Sequence, residues 1–270
     1  MAIITLTTDF GTRDTYAAEM KAAILSIAPD VHIVDVTHEI APHDVLEGAL
    51  ALEAAAPWFP PATIHVAVVD PGVGTARRGL AVASAVASKA QVFIGPDNGL
   101  FTPFLGASAW RAFELTETEF RRATVSPTFH GRDVFAPAAA HVALGLSPER
   151  LGPRVTDPVL LAWPRPRVAA RRIGGAVVHV DRFGNLVTSI PGDALASLGS
   201  SLTVRVGARS LPLVRTYGEL ARGRAGAVVG SRNRLEIAVN AGSAAAVLGA
   251  RRGTSVVVSR ASRSRTGKRA

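Results

Sequence analysis

Hydrophobic and polar positions alternate along the first 150 residues with two periods, and the switch between them predicts the elements. Ala2 to Thr8 is a β-branched run and reads as a strand, followed by a loop at Asp9-Phe10-Gly11-Thr12. Thr15 to Ile27 places Tyr16, Met20, Ala23 and Ile27 at helical spacing and stops at Pro29. Val31 to Val36 reads as a strand, Val45 to Ala56 as a helix, and Thr63 to Val69, with four aliphatic residues before Asp70, as a buried strand. That strand ends in Asp70, and Pro71-Gly72 turns the chain. Leu80 to Val86 and Gln91 to Ile94 are two further strands, and Asp133 to Leu144 is a helix that follows the loop Ser126 to Gly131. Strands alternating with helices predict a mostly parallel, doubly wound sheet.

The pattern changes between Leu151 and Arg172, where prolines and arginines cluster. Beyond it only short strands are expected: Gly174–Asp181, Leu186–Ser189, Leu202–Val206, Arg209–Val214, Ala227–Val229, Leu235–Val239 and Ser255–Ser259. Their spacing and Gly-rich turns suggest a small antiparallel barrel or sandwich. The expected fold class is therefore α/β with a smaller β domain. Its organisation is an N-terminal α/β domain over residues 1–152, a Pro/Arg-rich linker over 153–172, a β domain over 173–260 and a basic, disordered tail over 261–270.

Composition narrows the function classes. There is no cysteine, which removes disulfides, thiolate metal sites and a cysteine nucleophile. The net charge of +9 suggests nucleic acid, yet residues 251–270 hold seven basic residues and no acid, leaving +2 for the first 250. The body shows no basic face, so neither nucleic acid nor a membrane is expected as partner. No apolar run approaches the roughly 20 residues of a membrane helix. The start reaches an acid at Asp9 without a basic segment, unlike a secretory signal, so a cytoplasmic location is expected.

Candidate chemistry gathers at strand ends, because ligands of open α/β sheets bind beyond the carboxyl ends of the strands. Asp9 is placed to accept hydrogen bonds from a ribose diol, or to cap the following helix. Asp70 with Arg77 reads as an oriented carboxylate or as a structural ion pair. His130, in the segment FHGRD, is either a neutral polar group beside substrate or a histidine satisfied by the next helix. Asp97-Asn98 reads as a turn. No GxGxxG, GxxxxGK[ST] or GxSxG segment is present, and Asp9, Asp70, His130 and Asp133 lack metal-ligand spacing, so no metal is expected. In the second half, Asp181 to Asn185, Ser231 to Asn233 and Asn240 to Gly242 are turns, or three polar loops presenting one amino-acid-binding face with Asp181 on an ammonium and Arg232 on a carboxylate.

Six segments in order justify a resemblance: TTDFG, VVDPGVGTARR, GPDNGLF, FHGRDVFAPAAA, VDRFGNLVTSI and SRNRLEIAVNAG. Together, from residue 4 to about residue 242, they resemble the S-adenosylmethionine (SAM) hydroxide adenosyltransferases, relatives of the SAM-dependent fluorinases and chlorinases. The resemblance implies a Rossmann-like N-terminal domain, a C-terminal β domain, and a homotrimer binding SAM between subunits. It implies SAM as substrate, with no cofactor and release of adenosine and L-methionine. Asp70, Arg77 and His130 fall on the family's catalytic triad and Asp9 on its ribose-binding acid, beside Phe10. Asp181, Phe183, Asn185, Ser231, Arg232, Asn240 and Ala241 match positions lining the methionine and adenine ends. The halogenases carry a tyrosine where this chain has Asp70 and an inserted loop where the link from Arg78 to Phe93 is short, which favours water over halide. A chloride-using halogenase and a non-catalytic SAM or adenosine sensor are the alternative expectations.

Overall fold

Two units divide the chain, Met1–Trp163 and Pro164–Ala270, in a computed structural model that describes residues 1–106 and 109–260. The division falls inside the stretch read as a linker, and the tail expected at 261–270 lies outside the described residues.

In the first unit the early strands are β1 (Ile3–Thr8), β2 (His32–Thr37) and β3 (Ile64–Val68), with helices α1 (Tyr16–Leu25) and α2 (Val45–Ala55) between them. Next come β4 (Gly79–Val86), β5 (Lys89–Pro96), β6 (Trp110–Glu114), helix α3 (Ala136–Ala143) and β7 (Arg154–Val155). The seven strands form one sheet in the order β2-β1-β3-β5-β4-β6-β7. β2, β1, β3 and β5 run parallel, while β4, β6 and β7 add antiparallel pairs. Alternation explains the two cores. Ile4 and Leu6 of β1 and Ile64, Val66 and Val68 of β3 face α1 and α3, whereas Ala67, Val69 and Phe93 pack with Leu52 of α2.

The sheet is thus mostly parallel at its centre and antiparallel at one edge. Its reversal is a tight hairpin: Ala87 and Ser88 sit at φ 47° and 65°, the primed-turn conformation that matches strand twist. Neither residue is among the Asn, Asp and Gly that primed turns favour. The helix expected over 133–144 begins instead as a π-type turn, Gly131–Phe135, before α3 takes over. β6 was not expected either, because WRAFE is short and carries two charged residues.

The second unit contains β8 (Arg167–Ala169), β9 (Arg172–Val180), β10 (Leu186–Pro191), β11 (Leu202–Val206), β12 (Arg209–Pro212), β13 (Ala225–Val229), β14 (Arg234–Val239), α4 (Ala244–Leu248) and β15 (Ser255–Arg260). Its antiparallel order β12-β11-β15-β9-β10-β14-β13 nearly closes on itself, because Leu213, just past β12, bridges Ala227 of β13. Ile173, Ile190, Val204, Ile237 and Val258 fill the barrel. α4 falls in the Ala-rich segment after Gly242, which the strand pattern had left without an element.

Candidate active site

β1 and β3 are parallel neighbours with Thr8 opposite Val68, so their carboxyl ends deliver Asp9 and Asp70 to the same edge. Both line one open cavity of about 270 Å³ with Phe10, Tyr16, Pro42, His43, Val68, Val73, Thr128, Phe129, His130 and Gly131. Asp9 Oδ2 accepts the backbone N–H of His43 at 2.9 Å, and the cap of α1 is Thr15, so the helix-cap reading of Asp9 does not apply. His43 itself holds φ 67°, a left-handed conformation uncommon for a non-glycine residue and found where local structure enforces it.

The loop after β3 folds back through local bonds. Val73 N–H donates to the Asp70 carbonyl, and both the N–H and the hydroxyl of Thr75 donate to the Gly72 carbonyl. Gly74 sits at φ 76°, and a Cβ there would lie 2.4 Å from the Pro127 carbonyl oxygen. Only glycine lets this loop lie against the segment carrying His130.

Arg77 returns from that loop onto both partners. Its Nε donates to the two carboxylate oxygens of Asp70 at 3.0 and 3.1 Å, and its Nη2 also donates to Asp70 Oδ2. The same Nη2 reaches His130 Nδ1 at 2.9 Å. A guanidinium only donates, so Nδ1 accepts and the His130 proton sits on Nε2. Burial, and then the charge of Arg77, push His130 below the ordinary histidine range, which keeps that neutral tautomer. The Asp70 and Arg77 side chains are 5% and 11% exposed, and Arg77 also stacks 5.2 Å over the buried Phe135 ring.

His130 is held from behind. Asp133, fully buried, accepts from Ser126 N–H at 2.9 Å and from Arg132 Nε at 2.7 Å, while Arg132 reaches Glu19 at 2.9 Å. This ties α1, the 126–130 loop and the π-type turn into one frame. π-type turns recur at functional sites, where they displace a side chain from regular helix geometry. Asp133 is thus engaged by arginines, and among the described residues no three His, Asp or Glu side chains group as a metal site.

In the second unit Asp181 builds its own loop. Its Oδ1 accepts from the N–H groups of Phe183 and Asn185, and its Oδ2 accepts from Asn185 Nδ2, while Gly184 turns at φ 80°. Phe183 is left 77% exposed. Ser231 and Arg232 occupy the exposed turn between β13 and β14. Asn240 Nδ2 donates to the Leu220 carbonyl at 2.6 Å, and Ala241 follows at φ 56°. Two residues that the sequence reading did not single out lie close enough to Asp181 to feel its charge. Tyr217 donates from its hydroxyl to the buried Glu236 at 3.2 Å. Burial, with the charge of Asp181 adding to it, pushes the Glu236 carboxyl above its usual range, against the hydrogen bond from Tyr217 and the charge of Arg232.

In the first unit, Asp9, Phe10, Asp70 and His130 meet in one cavity with Arg77 behind them. Tyr16 and His43 were missed there, although Tyr16 stands only six residues after Phe10. Asp97 is structural: it receives Arg78 Nε at 2.8 Å and the Val159 N–H at 2.8 Å, clasping the 157–163 strap to the end of β5 within the first unit. No helix among the described residues is long and apolar enough to cross a membrane.

Known proteins resemble this chain over most of its length. Family models for the SAM hydroxide adenosyltransferase N-terminal and C-terminal domains match residues 4–152 and 175–257. The (R)-S-adenosyl-L-methionine hydrolase of Thermus thermophilus is 44% identical over 92% of this chain and 96% of its own. That of Salinispora tropica is 40% identical, over 91% and 93%. A fluorinase from an Actinoplanes species is more distant at 30%, over 96% and 98%. Among solved structures, an uncharacterized conserved protein from Thermotoga maritima superposes with a TM-score of 0.88 at 35% identity, covering 95% of this chain and all of that one. The chain therefore belongs to the SAM hydroxide adenosyltransferase family.

Proposed function

We propose that the chain hydrolyses (R)-SAM to adenosine and L-methionine by in-line attack of water at ribose C5′. The observation that carries this reading is the single guanidinium of Arg77 joining Asp70 to His130 at the wall of the cavity that also holds Asp9. In this mechanism Asp9 binds the ribose diol. Asp70 accepts a hydrogen bond from the attacking water, and His130 Nε2–H donates to the water oxygen, fixing its position. The C5′–O bond forms as the C5′–S bond breaks, its electron pair passing to sulfur to leave the neutral thioether of methionine. The water releases its proton toward Asp70 and solvent. Sulfonium is a good leaving group, so the protein's task is to position the nucleophile.

The first unit is read as Rossmann-like on its parallel core β2-β1-β3-β5. Asp181, Phe183, Asn185, Ser231, Arg232, Asn240 and Ala241 hold the methionine and adenine ends in a homotrimer with sites shared between subunits, in the cytoplasm, without a cofactor. Family resemblance supports these assignments, and light scattering tests the trimer. Water rather than halide is favoured by Asp70 itself and by β4 starting directly after Arg78 and turning through only two residues.

The test is chromatography of protein incubated with (R)-SAM or (S)-SAM, with and without chloride. Equal amounts of adenosine and methionine from the (R) epimer, independent of chloride and lost in Asp70→Ala with SAM binding retained, are expected. Intact SAM after long incubation, or a chlorinated nucleoside, sinks the hydrolase reading.

A further inference from the structure

Three aromatic rings line the cavity beside Asp70 and His130, and the triad's chemistry gives them no task. Phe10 comes from the loop after β1, Tyr16 from the first position of α1, and Phe129 from the loop that ends at His130. Their centroids lie 5.6 Å (Phe10–Tyr16), 5.8 Å (Phe10–Phe129) and 5.3 Å (Tyr16–Phe129) apart, tilted or edge to face. Gly131 makes room for them. A Cβ there would stand 3.3 Å from Phe129, 3.6 Å from Phe10 and 3.2 Å from the Met20 sulfur. Tyr16 is 47% exposed, so its ring is accessible to a ligand in the cavity.

The geometry points to an aromatic box that recognises the sulfonium of SAM, with Phe10 and Tyr16 as the residues that separate the charged substrate from neutral thioethers. The inference rests on the hydrolase reading. Attack at C5′ beside Asp70 places the sulfur one bond from the reacting carbon, within this same cavity. A sulfonium has no N–H to donate and spreads its charge over sulfur and its attached carbons, so the negative faces of aromatic rings suit it. Phe129 already accepts a cation on its ring: the Arg132 guanidinium carbon sits 4.9 Å from the centroid. That guanidinium is balanced by ion pairs to Asp133 and Glu19, so it adds no unpaired positive charge. Asp70 is neutralised by Arg77, and Asp9, bonded to the His43 N–H and assigned to the ribose diol, is unchanged in the ring variants, so the contribution of the rings to cation preference is read separately.

A kinetic signature follows. The positive charge fades as the C5′–S bond breaks, so the box stabilises bound SAM more than the transition state. It also loses its hold on methionine once the thioether is neutral. Removing a ring weakens SAM binding and leaves kcat unchanged or raised, unlike loss of a residue that positions the nucleophile.

The experiment compares wild type, Tyr16→Leu, Tyr16→Phe and Phe10→Leu for the KM of SAM, kcat, and the inhibition constant of S-adenosylhomocysteine, the neutral thioether analogue. Expected in Tyr16→Leu is a KM for SAM raised about five- to tenfold, with the S-adenosylhomocysteine constant within about twofold of wild type. Tyr16→Phe, which keeps the ring, retains wild-type discrimination. Phe10→Leu follows Tyr16→Leu. Tyr16 is a surface residue, and a melting curve establishes that its Leu variant is folded. Parallel weakening of both ligands, an unchanged ratio, or a fall in kcat overturns the box. A wild type that releases no adenosine ends the hydrolase reading separately, and dissociation constants for the same two ligands then decide the box. Absence of any SAM binding overturns both.

Discussion

Arg77→Met separates what the triad does for stability from what it does for turnover. Asp70 and Arg77 are 5% and 11% exposed and share several N–H···O contacts, so the substitution leaves a carboxylate almost without water and without its countercharge. Breaking one side of such a buried pair costs roughly 3–5 kcal/mol. The cavity at Asp70 admits some solvent, so we take about 3 kcal/mol, the lower end of that range. In a protein of this size each kcal/mol moves the melting temperature by about 2–4 °C, so a fall of about 6–12 °C is expected. The double variant Asp70→Leu/Arg77→Met removes both charges and should recover most of that loss while remaining inactive, because matched apolar replacement of a buried pair is close to neutral. Turnover in Arg77→Met should fall at least about a hundredfold, since Asp70 and His130 lose the one group that fixes both. Arg77→Lys keeps the charge but not the planar fork, so it should melt above Arg77→Met yet turn over nearly as poorly. Scanning calorimetry with adenosine release measured on the same samples checks all four proteins. A single variant melting within 2 °C of wild type, with no gain in the double, would refute the argument that this pair is buried and mutually dependent.

The other expectations concern the frame around the site. Gly74→Ala forces a Cβ to within 2.4 Å of the Pro127 carbonyl at a φ of 76°, so it should lower kcat at least tenfold while far-UV circular dichroism stays native. His65 is fully buried, bonds Thr5 Oγ1 at 2.7 Å, stacks on Phe93, and is held by burial down to about 4 from 6.5. The unfolded chain takes up this proton first as pH falls, so the stability tied to neutral His65 is complete above 6.5 and lost toward pH 4, amounting to about 3 kcal/mol. Denaturant titrations across that range should show a flatter pH dependence in His65→Gln. Asp97→Ala frees the Val159 N–H and removes one of the two carboxylate partners of Arg78, leaving its bonds to Asp157, so limited proteolysis should cut the 157–163 strap faster in the variant than in wild type.

The parallel half of the first unit was legible because Ile3–Thr8 and Ile64–Val68 are mostly apolar or β-branched runs closely followed by the acids Asp9 and Asp70, and strand ends are where open sheets bind ligands. The antiparallel edge was harder, since its reversal uses Ala87-Ser88 rather than Asn-Gly, and WRAFE shows too few alternations to stand out. The site divides along the same line. Asp70 and Arg77 are seven residues apart, so a short loop brings them together and local sequence suffices to suspect a pair. His130 stands 53 residues from Arg77, and nothing local announces that contact. It depends on the close approach of Gly74 to Pro127 and on Asp133 gripping the 126–130 loop, two tertiary facts without periodicity. Family resemblance supplied His130 where physics of the sequence alone left two readings open. Tyr16 shows the converse. It reads as one apolar position of an amphipathic helix, yet it opens α1 at the edge of the cavity and is nearly half exposed. A helical pattern reports which residues share a face, while the ligand site depends on which end of the helix meets the strand ends, and that is a property of topology.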